Sequence, residues 1–100
     1  MLESAIERKC VNHAEKVGCL CFKVQRRSYP DRLIVFPGTH DIILVEFKKP
    51  GETPRKDQKR TIRKLRDRGF DVFVIDSFDE FRTMLEYEME IREVASRVKM

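Results

Sequence analysis

The sequence predicts an α/β sandwich around a mixed sheet flanked by helices, with elements in the order α-β-β-β-α-β-α. Three observations predict it. Apolar residues recur at helical spacing near the two ends of the chain and again in the basic stretch at 55–68. Short apolar segments bounded by turn residues fill 20–48 and 71–76. The first strands are close enough in sequence for an antiparallel hairpin, whereas a helix separates the last two and so brings the final strand in parallel to a neighbour.

Leu2, Ile6, Cys10, Ala14 and Val17 lie on one side of a helix over 2–17, and Gly18 is its stop. Glu3 and Glu7, four residues apart, share one edge of that apolar face. Leu20, Phe22 and Val24 alternate with Cys21 and Lys23 in a first strand, which Arg26 and Arg27 end. Residues 31–36 and 42–48 are the second and third strands, with Pro37 and Gly38 in the turn "PGTHD". Thr53 is the expected N-cap of helix two and Pro54 its first residue. That helix runs to about Arg68 and stops at Gly69. "DVFVID" at 71–76 is the fourth strand. Ser77 and Glu80 form a capping box for helix three, which carries Phe81, Met84, Leu85, Ile91, Val94, Ala95 and Val98 along one side.

The 100 residues fit one domain, expected over 1–85, with 86–100 extending helix three. The apolar side beyond Tyr87, at Ile91, Val94 and Val98, has no obvious internal partner and is the candidate for pairing two subunits. Docking back on its own domain is the competing reading. Hydrophobic residues are 41% of the chain, enough for a core, and charged residues 38%. A net charge of +4 favours a polyanionic partner. The N-terminus lacks a secretory apolar run and no stretch approaches the roughly 20 apolar residues of a membrane span, so the expectation is a cytoplasmic protein that does not bind membrane. Cys10, His13, Cys19 and Cys21 read either as zinc ligands of a small interaction domain or as buried, reduced thiols beside a helical histidine; the spacing matches no common zinc module.

The hairpin carries the chemistry. If Phe36 pairs with Asp41 across the turn, Val35 faces Ile42, Leu33 faces Leu44, and Asp31 faces Glu46. The apolar pairs agree with that register, and a one-residue slip would break them. Opposed residues have Cβ atoms roughly 4.5–5.5 Å apart, whereas Asp41 lies roughly 16 Å from Glu46 along one strand. Lys48 follows Glu46 by two residues and points to the same side. Two carboxylates this close repel and raise each other's proton affinity, a conflict that a hard divalent cation resolves, with the Phe47 carbonyl as a nearby further ligand. Lys48 would then orient a water and stabilise charge on a phosphate under attack. The same D…E-x-K pattern on an arbitrary hairpin is a balanced surface cluster.

Helix two holds Arg55, Lys56, Lys59, Arg60, Arg63, Lys64, Arg66 and Arg68 against only Asp57 and Asp67. Such a face suits a phosphate backbone, read by shape and charge rather than by base edges, with an ordinary solvated helix face as the competing reading. Gln58 lies one turn before Ile62 and faces inward, where it needs hydrogen-bond partners.

As an ordered set, Pro30-Asp31, "VEFK" at 45–48, Pro50-Gly51, Gln58 and "RKLRDRGFDVFVIDS" at 63–77 resemble the VRR-Nuc branch of the PD-(D/E)XK nucleases. "AIERK" and "CFK" resemble that family's helix-one glutamate and first-strand lysine. The resemblance spans about residues 3–80. It implies the restriction-endonuclease-like core and a Mg²⁺- or Mn²⁺-dependent DNA endonuclease leaving 5′-phosphate and 3′-hydroxyl ends, with no other cofactor. It implies metal binding by Asp31 and Glu46, catalytic support by Lys48, and Glu7 completing the metal site, with Glu3 as the alternative. Gln58 would be the helix glutamine beside the site, and Lys23 would meet phosphate. Arg26, Arg27, Arg55, Lys56, Lys59, Arg60 and Arg63 are expected on DNA. Short stand-alone members, found in phages, viruses and bacteria, are similar to homodimeric enzymes, some acting on branched DNA such as Holliday junctions. One departure is "SYPD" where the family often has "GVPD". The rival reading is a non-catalytic basic nucleic-acid-binding module with the same fold.

Overall fold

A computed structural model of the chain describes the backbone of residues 2–98 and the side chains of residues 2–93. Its order is α1 (Glu3–Lys16), β1 (Leu20–Lys23), β2 (Arg32–Val35), β3 (Ile42–Phe47), α2 (Lys56–Asp67), β4 (Val72–Ile75) and α3 (Phe78–Val98). The α-β-β-β-α-β-α expectation holds throughout. The four strands form one sheet in the order β1-β2-β3-β4, antiparallel except for the β3–β4 pair, which is parallel as a helical crossover requires.

The hairpin register is the one the apolar pairs demand: Leu33 opposes Leu44 and Val35 opposes Ile42. The Phe36 amide donates to the Asp41 carbonyl at 3.2 Å, closing the turn as expected. Alternation then sorts the sheet into two faces. On one, Ile34, Ile43, Val45, Phe47 and Ile75 pack with Ile6, Cys10 and Ala14 of α1 and Phe81 and Leu85 of α3. On the other, Leu44 and Val72 meet Ile62 of α2, with Leu33 and Leu65 beside them. α2 packs on β4.

Gly18 (φ +99°) and Gly69 (φ +92°) follow α1 and α2 in the left-handed region, where glycine carries no Cβ penalty. Ser77 Oγ accepts the Glu80 amide at 3.1 Å, which is the N-cap half of the expected box. The start of α2 differs from expectation. The helix begins at Lys56 rather than Pro54, with an extended Arg55 before it. The Arg55 amide donates to Gln58 Oε1 at 2.9 Å. The cap is thus supplied from inside the helix by Gln58, and Thr53 is not needed.

α3 runs unbroken past residue 85. Beyond Tyr87, Arg92 is buried: its Nε lies 3.3 Å from Asp41, one terminal nitrogen 3.5 Å from Asp71 and the other 3.0 Å from Glu88. Its guanidinium stacks 4.2 Å from the Phe36 ring. One side of this part of the helix therefore docks on its own domain, while Tyr87 and Ile91 stay exposed. The Val94 and Val98 side chains named for subunit pairing lie outside the described residues. No helix is long and apolar enough to cross a membrane among the described residues.

Candidate functional site

At the open end of the hairpin, the β3 residue Glu46 shares the α2 side of the sheet with Leu44. It is almost wholly buried, at 1% exposure. Two groups hold one of its oxygens. Gln58 Nε2 donates to Oε2 at 2.7 Å, and Lys48 Nζ lies 3.0 Å from the same atom. The other oxygen, Oε1, is buried with no hydrogen-bond partner among the described residues. A buried acceptor in that condition costs free energy unless a cation or water meets it.

Asp31 stands directly before β2. Its carbonyl accepts from the Val24 amide, and its Oδ2 accepts from the Phe47 amide at 2.8 Å. That bond pins the carboxylate across the strand from Glu46, as the register predicts. Burial pushes the proton affinity of Asp31 up, against the opposing pull of the Phe47 amide. Burial also raises Glu46, to about 7; Lys48 opposes the shift and Asp31 adds to it. Asp41, at the far end of the hairpin, is committed to Arg92.

The helix-one glutamates part company. Glu7 Oε2 accepts from Arg32 Nε at 2.7 Å and lines a neighbouring hollow with Lys23. Arg32 alternates with Asp31, so its side chain leaves β2 on the α1 side and meets Glu7 there. Glu3, one turn earlier, lines the cleft that contains Asp31, Glu46, Lys48 and Gln58. Its proton affinity is raised, chiefly by burial, with Lys48 opposing and Asp31 adding. The cleft has a volume of about 630 Å³, and Arg26, Arg27 and Arg55 line it. Lys56, Lys59, Arg60 and Arg63 are exposed along α2. Arg66 and Arg68 instead bond to the Val72 and Lys64 carbonyls.

Ser28 explains the departure from "GVPD". It sits at φ +73°, a conformation that favours glycine. Its hydroxyl donates to Asp57 Oδ2 at 2.6 Å, tying the β1–β2 loop to the first turn of α2. That hydrogen bond, with help from Arg55, holds the Asp57 carboxyl down at about 2. Tyr29 packs under Arg26, whose guanidinium is 4.7 Å from the ring. The cysteines are not part of any such site. Cys10 and Cys19 are buried, and burial raises the Cys10 thiol to about 12 and Cys21 to about 11. His13 packs edge-on against Phe78. Among the described residues no three His, Cys, Asp or Glu side chains form a ready-made metal cage.

The sequence model of the VRR-NUC domain matches residues 2–79. The chain belongs to the VRR-NUC family of nuclease domains. It is 40% identical over 80 residues to "Putative nuclease p44" of Acyrthosiphon pisum secondary endosymbiont phage 1, a match covering 77% of this chain and 85% of that protein. A solved VRR_NUC domain superposes with a TM-score of 0.76 at 30% identity, over 84% of this chain and 94% of the other. The VRR-NUC match also makes nucleic acid the substrate class. The donor set fits a hard divalent cation: carboxylate oxygens, one of them orphaned, in a cleft open to water. Mg²⁺ asks for only one or two carboxylates and keeps several waters.

Proposed function

We propose that the protein is a Mg²⁺- or Mn²⁺-dependent DNA endonuclease acting on branched DNA, such as four-way junctions, as a homodimer. The observation that carries the reading is the buried Glu46 carboxylate, whose Oε1 has no partner among the described residues and lies beside Asp31 and Lys48. Asp31 and Glu46 would hold the ion, with the Phe47 carbonyl beside them and Glu3 at the cleft wall. When bound, such an ion makes a coordinated water more acidic and offsets charge on the phosphate.

The chain's own groups do the rest. Gln58 holds the Glu46 carboxylate in one orientation. Lys48, anchored on Glu46 Oε2, positions the hydrolytic water and stabilises negative charge on the phosphoryl oxygens. Water attacks phosphorus, the 3′ oxygen leaves, and the products carry 5′-phosphate and 3′-hydroxyl ends. Arg26, Arg27 and Arg55 at the rim, with Lys56, Lys59, Arg60 and Arg63 on α2, bind backbone. Each subunit has one cleft, so cutting two strands takes two subunits. Residues 86–100, with exposed Tyr87 and Ile91, are the pairing element of this reading, and the cytoplasm of a bacterial or phage-infected cell is its setting.

Cleavage of plasmid and junction DNA in Mg²⁺ against EDTA tests the reading. Asp31→Ala and Glu46→Ala are expected to abolish cutting while keeping DNA binding in Ca²⁺, and Asp41→Ala to keep cutting. Glu3→Gln is expected to cost more activity than Glu7→Gln. A wild-type chain that binds DNA but never cuts it with Mg²⁺ or Mn²⁺ would leave a non-catalytic binding module.

A further inference from the structure

On the α2 side of the sheet, among the described residues, no helix packs over β1, whereas Leu33 of β2 borders the α2 cluster. Leu20 opposes Val35 and Phe22 opposes Leu33, all on the α2 side of the sheet. α2 rests on β4, and its backbone does not reach across β1 or β2. Leu20 and Phe22 are therefore 58% and 53% exposed, as neighbours on one surface. Val24, next on the same side, lines the cleft. Phe22 is thus two residues, roughly 7 Å, from the cleft wall. That is about two stacked base steps along a strand.

The rim of this apolar floor is cationic. Arg26 and Arg27 stand at its cleft end. The Ser28–Asp57 bond joins the β1–β2 loop to the first turn of α2, so the helix flank that carries Asp57 starts at that loop. Thr61, Lys64 and Arg68 continue that flank at helical spacing, and Lys64 and Arg68 are exposed.

We infer that this face is a stacking platform for unpaired nucleobases, carried by Phe22, for a strand whose backbone follows the cationic rim into the cleft. The inference rests on the nucleic-acid reading above and specifies the substrate feature: unstacked bases beside the scissile phosphate. Any base presents a flat π-face to an exposed phenyl ring, so the platform is tolerant of sequence. Charge decides between occupants. Two copies meeting through this face would oppose Arg26, Arg27, Lys64 and Arg68 to their own counterparts. A single strand supplies phosphates to the rim and bases to the floor.

The test is fluorescence anisotropy of the full chain in EDTA, with two labelled probes: a plain duplex and the same duplex ending in splayed single-stranded arms. Wild type is expected to bind the forked probe more tightly. Phe22→Thr, which keeps strand propensity, is expected to weaken forked-probe binding about tenfold and to change duplex binding less than twofold. The chain has no tryptophan, so Phe22→Trp supplies a single indole reporter, expected to keep the preference and to be quenched by the forked probe alone. Equal binding of both probes by wild type, an equal loss on both in Phe22→Thr, or indole fluorescence in Phe22→Trp that the forked probe leaves unchanged would overturn the inference. So would a wild-type dimer that Phe22→Thr converts to monomer in sedimentation velocity. Phe22-dependent fork binding without cleavage would sink the nuclease reading alone, and cleavage with an unchanged preference in Phe22→Thr would sink the platform alone.

Discussion

At the scale of the residue, Glu46 carries the largest conflict. Its carboxyl is buried, and its proton affinity is raised from an ordinary 4.5 to about 7 despite Lys48 at 3.0 Å. Because the folded pKa lies above the unfolded one, the folded state binds the extra proton between those values. The metal-free protein therefore loses stability as pH rises from about 4.5 through about 7. Glu46→Gln removes that slope. Thermal melts in EDTA are expected to match wild type near pH 5 and to show the variant more stable at pH 8. Melts that stay parallel at both pH values would mean that the carboxyl is not held protonated. Ser28 shows a second conflict settled locally: a left-handed serine is held by a hydrogen bond to the neighbouring helix. The register placed Asp31, Glu46 and Lys48 together in advance, because a period of two leaves no freedom once the apolar pairs are matched.

At the scale of the element, two helices take their positions from polar groups. α2 starts late because Gln58 makes two bonds at once, accepting from the Arg55 amide and donating to Glu46. Cap propensity favoured Thr53, and a bond to a different element overrode it. α3 is clamped by Arg92, which reaches Asp41 before β3 and Asp71 before β4. Of its acidic partners Glu88 is buried, whereas Asp41 and Asp71 are exposed. Arg92→Ala would leave Glu88 without its counter-charge, a loss of about 3 kcal/mol in urea unfolding. Adding Glu88→Leu is expected to restore much of that loss, since the stranded charge goes with it. If the single variant unfolds at the wild-type midpoint, the clamp contributes nothing.

At the scale of the whole molecule, the sheet divides the labour. One side is sealed by α1 and α3 over the main core. The other side holds the cleft, the basic helix and the exposed Leu20 and Phe22 of β1. The cations that project freely from α2 are Lys56, Lys59, Arg60, Arg63 and Lys64, since Arg66 is occupied by the Val72 carbonyl. Each phosphate contact adds about 0.9 to the slope of log affinity against log salt for duplex DNA. Replacing Lys59, Arg60 and Arg63 by alanine is expected to lower that slope by about 2.7 units. A titration of binding against NaCl measures it, and an unchanged slope would place the DNA elsewhere.

The sequence by itself determined the element order, the hairpin register, the parallel fourth strand and the pairing of Asp31 with Glu46. All of these follow from periodicity and chain connectivity, which act over a few residues and fix the side on which each residue lies. Only the tertiary structure decided that Glu3 rather than Glu7 borders the cleft, that Arg92 is buried, where α2 begins, and that Leu20 and Phe22 of β1 stay exposed beside the site. Those outcomes depend on which partner a long charged side chain meets across elements distant in sequence, and on how far one helix extends over a sheet. A local pattern of apolar and polar residues contains neither distance.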